Sequence, residues 1–133
     1  MQNLEIPNTC AEISKAAFKD NRRIRRVKIP ASVEIIKDYA FEGCVNLEAV
    51  EFSNGLKEIG DKAFKNCSSL KKIVLPDSVK DIGSSAFFGC SSLKKIVLPD
   101  SLQSLGAEIF SCCSALKEIV LPKGLKILYG KTF

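Results

Sequence analysis

Six cysteines, 20 lysines and arginines, and no histidine set the chemical limits of this 133-residue chain. Thiolates act as nucleophiles and metal ligands, and ammonium groups hold anions, but each use depends on spacing. Cys44, Cys67, Cys90 and Cys113 stand 23 residues apart. A zinc site pairs its ligands a few residues apart, so this column predicts no metal centre. The missing histidine removes the commonest general base and the usual pH switch. Ser68, Ser69, Ser91 and Ser92 therefore have no imidazole to activate them. Asp77 and Asp100 recur once per interval as turn residues, which is not the arrangement of a catalytic carboxylate pair. The glycines stand singly at turns and form no phosphate-cradling loop. The expectation is a protein that is not an enzyme and takes no cofactor.

The lysines are the residues left to do chemistry, and they too recur. "CSSLKKIVLPDSVKDIGSSAFFG" (67–89) is followed at once by "CSSLKKIVLPDSLQSLGAEIFSC" (90–112), with the lysine pair kept. The same 23-residue interval runs through the whole chain. Phe18, Phe41, Phe64, Phe87, Phe110 and Phe133 mark one column; Leu4, Val27, Val50, Ile73, Ile96 and Ile119 mark another. Ile13, Ile36, Ile59, Ile82, Leu105 and Leu128 form a third, and Val33, Leu56, Val79, Leu102 and Leu125 a fourth. Proline recurs at Pro7, Pro30, Pro76, Pro99 and Pro122. A unit this small cannot bury its own apolar face, so neighbouring units must stack into a solenoid. The expected domain is 1–133, a partial first unit plus five units.

Within a unit, Ile73 and Leu75 point inward and Val74 outward, which is the alternation of a short strand; the proline then ends it. Successive copies of this strand should pair in parallel at about 4.8 Å, giving a rod roughly 25–30 Å long. Apolar residues three apart after the proline predict a second extended piece. A turn at Gly60, Gly83 or Gly106 should follow, then one or two loose helical turns around Ala86 to Cys90. No segment is long enough for an independent helix. The phenylalanines should stack as a spine. The Cys44, Cys67, Cys90 and Cys113 thiols should be buried and free. Parallel side chains argue against bonds, even though stacked Cα atoms would fall within disulfide range. Cys112 stands where Gly43 and Gly89 stand in other units and should face outward.

This geometry places Arg25, Arg26 and Lys28, then Lys71, Lys72 and Val74, then Lys94, Lys95 and Val97, and finally Lys117 on one outward face. Eight of the 20 basic side chains fall there with only four of the 15 acidic ones, so nearly all of the net charge of +5 is concentrated on one wall. Like charges on adjacent strands oppose stability. Such a face would steer acidic protein or glycan surfaces. The competing reading is that duplication copied the lysines and that they serve solubility alone. Nucleic acid is a weaker partner, because glutamates interrupt the lysines and no exposed aromatic platform accompanies them. No apolar run is long enough to span a membrane, and "MQNLEIPNTC" shows no leader pattern.

The motif from Leu70 to Cys90, Leu-x-x-Ile-x-Leu-Pro-x-x-Val-x-x-Ile-Gly-x-x-Ala-Phe-x-x-Cys, resembles the Treponema pallidum-type leucine-rich repeat of BspA-like surface proteins. The resemblance covers essentially the whole chain. It implies a right-handed leucine-rich repeat solenoid of 23-residue units with a parallel β-sheet on its concave side and little regular helix. It also implies an extracellular or cell-surface bacterial protein that binds proteins or mediates adhesion, with a spacer role as the alternative. The family's repeats bring no catalytic residues to carry over. The unit at Phe52-Ser53 departs from Leu-Pro and predicts a locally wider turn. Asn21 replaces the cysteine in the first unit, and Tyr129 replaces a glycine in the last. Neither end reads as a cap, so the sequence predicts a piece of a larger repeat protein or end-to-end packing between chains.

Overall fold

Every rung of the molecule contributes two extended pieces, and each piece finds its hydrogen-bond partner 23 residues away. The computed structural model describes residues 3–122 and the backbone of Ile127–Leu128. Leu125, Tyr129 and Phe133 lie outside the described residues. The first wall holds β1 (Asn3–Glu5), β3 (Arg26–Lys28), β5 (Ala49–Glu51), β7 (Lys72–Val74), β9 (Lys95–Val97) and β11 (Glu118–Val120). The second holds β2 (Glu12–Ile13), β4 (Ile35–Ile36), β6 (Glu58–Ile59), β8 (Asp81–Ile82), β10 (Ser104–Leu105) and β12 (Ile127–Leu128). All pairings are parallel and in register, as in Leu4↔Val27↔Val50 and Ile73↔Ile96↔Ile119. The result is a right-handed parallel β-solenoid with no regular helix among the described residues.

Burial follows the expected alternation. Ile73 and Leu75 are buried and Val74 is exposed. The Phe18, Phe41, Phe64, Phe87 and Phe110 rings form a continuous stack, with centroids 5.3, 5.2, 5.5 and 6.4 Å apart. Such offset stacks add to the area that they bury.

Two details differ from the sequence expectation. The segment around Ala86 to Cys90 forms tight turns instead of helical ones. Phe88 N donates to Ser85 O and Cys90 N to Phe87 O, but Ser85 and Gly89 both have positive φ, at 57° and 74°. The same pair of left-handed positions recurs at Lys62 and Asn66 and at Glu108 and Cys112. A left-handed residue on each side stops a helix from propagating. The turns bond across rungs instead, as in Phe64 N to Ala86 O at 2.8 Å and Asn66 N to Phe88 O at 2.7 Å. Gly60, Gly83 and Gly106 serve close approach and not reversed φ: a Cβ on Gly83 would lie 2.6 Å from Asp61 N.

The second difference is in the first wall. It is not one sheet but two three-stranded sheets, β1-β3-β5 and β11-β9-β7, while the second wall runs unbroken through six strands. The joint between β5 and β7 coincides with Phe52-Ser53-Asn54-Gly55, where Gly55 has φ 133°. Phe52 replaces a leucine there and turns its ring edge-on to Phe64, with centroids 6.1 Å apart and planes at 79°. A bulkier side chain at the strand exit, with no proline to fix the turn, accompanies the loss of the ladder.

Candidate binding face

The cysteine column can be settled first. All six cysteines are free. Cys44, Cys67 and Cys90 are buried and Cys113 is half-buried, and each thiol donates to the phenylalanine carbonyl of the preceding rung: Cys44 to Phe18 O at 3.1 Å, Cys67 to Phe41 O and Cys90 to Phe64 O at 3.2 Å, and Cys113 to Phe87 O at 3.1 Å. Burial pushes the Cys44 and Cys113 thiols up to about 11. It drives Cys67 and Cys90 further in the same direction, with neighbouring thiols adding to the effect. Thiols held protonated are poor nucleophiles and poor metal ligands. Among the described residues no three His, Cys, Asp or Glu side chains come together as metal ligands. Cys112 is exposed, with φ 62°, at the position occupied by Gly43 and Gly89.

The charge on the strand face is divided between its two halves. In the first three rungs positive charges meet negative ones. Arg25 Nη1 lies 3.0 Å from Glu48 Oε2, and Lys28 pairs in register with Glu5 on one side and Glu51 on the other. Arg26 stands between Asn3 and Ala49. This half is close to charge balance.

Beyond the joint the balance changes. Lys72 is in register with Lys95, and the loop residues just before them place Lys71, Lys94 and Lys117 on adjacent rungs, with Lys94 N donating to Lys71 O and Lys117 N to Lys94 O. Lys95 alone makes an ion pair, at 3.7 Å to Glu118. Lys71, Lys72, Lys94 and Lys117 have no such partner among the described residues. Val74, Val97 and Val120 are register partners that run beside the lysines, and Val74 and Val120 are 49% and 41% exposed. They floor an open groove of about 430 Å³, which Pro76, Pro99, Asp77 and Asp100 line on the far side and Asn54 at one end.

One cluster was not visible in the sequence. The Lys15, Lys19 and Lys62 ammonium groups lie 5.8, 5.6 and 5.4 Å from the Tyr39 ring centroid, and Lys65 lies 5.2 Å from that of Phe88. These residues sit on the turns between the second wall and the first. Glu42 takes up Lys19 at 3.3 Å, so part of this charge is spent within the molecule. Aromatic residues do accompany lysines in this protein, but not on the strand face.

The pattern of strand, proline and phenylalanine matches the family model for the BspA type leucine rich repeat region over residues 1–75. The chain belongs to the BspA-type leucine-rich repeat family. Among solved structures it is similar to a leucine-rich cell surface protein of Faecalibacterium prausnitzii, with 36% identity, TM-score 0.87, and 90% of this chain and 32% of that one covered. A Bacteroides ovatus leucine-rich repeat protein shares 38% identity with TM-score 0.84, covering 94% and 32%. The Treponema pallidum leucine-rich repeat protein shares 31% with TM-score 0.67, covering 91% and 70%. The chain thus spans about a third of the first two relatives. Because the relatives come from several bacterial genera, the family is BspA-type in the broad sense and not treponemal in particular. No curated protein matches the chain in sequence. The repeat scaffold is of a kind typical of bacterial surface and adhesion proteins, and no described helix is long and apolar enough to cross a membrane.

Proposed function

We propose that this segment is a non-enzymatic recognition module, displayed at a bacterial cell surface, whose β7-β9-β11 face binds an acidic protein surface. One observation carries the reading. Lys71, Lys72, Lys94 and Lys117 stack with no ion-pair partner among the described residues, beside a valine line exposed at Val74 and Val120 and half-buried at Val97. Stacked like charges cost a few tenths of a kcal/mol or more per pair, a cost that an acidic partner removes. The concentrated potential also speeds encounter with such a partner. Arg25 and Lys28 contribute less, because Glu48 pairs with the first and the second stands between Glu5 and Glu51, which leaves Arg26 alone on that half. The cell-surface placement is supported by the F. prausnitzii relative.

The test is binding of the intact chain to a labelled polyglutamate peptide and to heparin, across a salt series, with Lys71→Glu/Lys94→Glu as the variant. The expected result is polyglutamate binding that weakens at least tenfold in the variant and falls steeply with salt. Equal affinity in variant and wild type refutes the face; a preference for heparin would move the assignment to an anionic glycan. A spacer role draws support from the run CSSLKKIVLPDS, which stands unchanged at 67–78 and 90–101. It predicts that deleting one 23-residue unit leaves adhesion by the parent protein unchanged.

A further inference from the structure

The periodicity of the groove says what shape of partner fits it. Val74, Val97 and Val120 contribute one side chain per rung in single file, so the floor repeats at about 4.8 Å along the solenoid axis. An extended peptide laid along that axis presents same-face side chains every ~6.7 Å and would be out of step by about 4 Å after two rungs. An α-helix presents the same face every ~5.4 Å, a mismatch of only about 1.2 Å over the same distance.

The flanks add a second constraint. Lys72 and Lys95 border the floor on one side, with Lys71, Lys94 and Lys117 behind them and Glu118 at the third rung, whereas Asp77 and Asp100 line the other. The groove is therefore electrically two-sided.

We propose that the groove takes an amphipathic α-helix about three turns long, laid along the solenoid axis. Its apolar residues at i, i+3 or i+4 and i+7 meet the valines one rung at a time. Acidic residues run along the flank that faces the lysines, and basic ones along the flank that faces the aspartates. Turning the helix end for end would exchange its flanks, so the same charges also fix its direction. This inference rests on the first wall being the binding face, and it adds the form of the partner.

The experiment uses the intact chain and fluorescein-labelled peptides of about 14 residues, read by anisotropy at low and moderate salt. Two peptides share one composition of leucine, alanine, glutamate and lysine. In one, leucines fall at helical spacing with glutamate on one flank and lysine on the other; in the second, leucines alternate with polar residues. Polyglutamate is the third probe. The helical pattern should bind at least tenfold more tightly than the alternating one and gain helicity by circular dichroism on binding. Lys94→Glu should weaken it about tenfold. Val97→Thr, which keeps a β-branched strand former, should weaken it about threefold. Equal or tighter binding of the alternating peptide or of polyglutamate overturns the helix while leaving acidic recognition standing. If no peptide shows Lys94-dependent binding, both readings fall.

Discussion

Replacing Phe64 with alanine tests the stacking on which the molecule depends, at the place where other support is thinnest. Phe64 is fully buried, lies 5.2 and 5.5 Å from the Phe41 and Phe87 rings, and receives the edge of Phe52 at 6.1 Å. Phenylalanine-to-alanine changes in a core cost about 3–5 kcal/mol. Three ring contacts, each worth about 0.5–1.5 kcal/mol beyond burial, place this site near the upper end, at about 4–5 kcal/mol. Phe18, half-buried with one stacked neighbour at 5.3 Å, should cost about 1–2 kcal/mol when cut to alanine. The loss at Phe64 matters more because β5 and β7 share no ladder, so the joint relies on the spine, on the β6–β8 pairing of the second wall and on turn bonds such as Phe64 N to Ala86 O. Urea unfolding followed by circular dichroism reads both variants. With a slope of about 2 kcal/mol per molar, the Phe64→Ala midpoint should fall by about 2 M. Phe64→Leu, which retains more volume, should lie between it and the wild type. Equal losses at Phe18 and Phe64, or a loss below about 1 kcal/mol at Phe64, would refute a continuous spine.

Two further outcomes follow from close contacts and from the thiols. Gly83→Ala should destabilise by about 1–3 kcal/mol, measured by thermal melting, because the new Cβ would meet the Asp61 and Gly60 backbone at 2.6 and 2.7 Å. The buried thiols predict alkaline weakening. Cys44 and Cys113 titrate near 11 when folded and near the ordinary 9.0 when unfolded, so the unfolded chain loses its protons first. Their contribution is complete below about pH 9 and falls as pH rises toward 11. The urea midpoint should drop across that window, and Cys67→Ala/Cys90→Ala should show a shallower drop than wild type.

Periodic features were legible in the sequence because each unit meets the same environment. A column of phenylalanine or of alternating Ile and Val needs no long-range information beyond its repeat length, and the spine, both walls and the inward-facing residues lie where the columns place them. The interruption between β5 and β7 was only half legible. Phe52-Ser53 indicated a wider turn, but whether neighbouring ladders absorb a wider turn depends on how Phe52 packs against Phe64 across the core, which the column pattern does not show. Of the two left-handed positions in each turn, the second is marked by residue type, as Asp20, Gly43, Asn66 and Gly89, but the first is not, since Ala16, Tyr39, Lys62, Ser85 and Glu108 share nothing in residue type. Cross-rung backbone bonds impose that conformation. For the candidate face, the columns located the lysines. Which of them are answered by glutamates depended on side-chain reach, as at Arg25 and Glu48, so the broad patch contracts to the last three rungs.

The unladdered joint bears on how an array of these units carries load. Rungs within each three-strand block are tied along both walls and resist bending as a beam does. At Phe52-Ser53 the strand ladder is missing, and the rungs stay tied through the opposite wall, the turn bonds such as Phe64 N to Ala86 O, and Ser78 at the corner, so the joint can open on its strand side with its pivot along β6 and β8. Pulling on such an array should open the strand face there before it unravels any rung, and the number of aromatic-for-leucine exchanges would set how many places can flex.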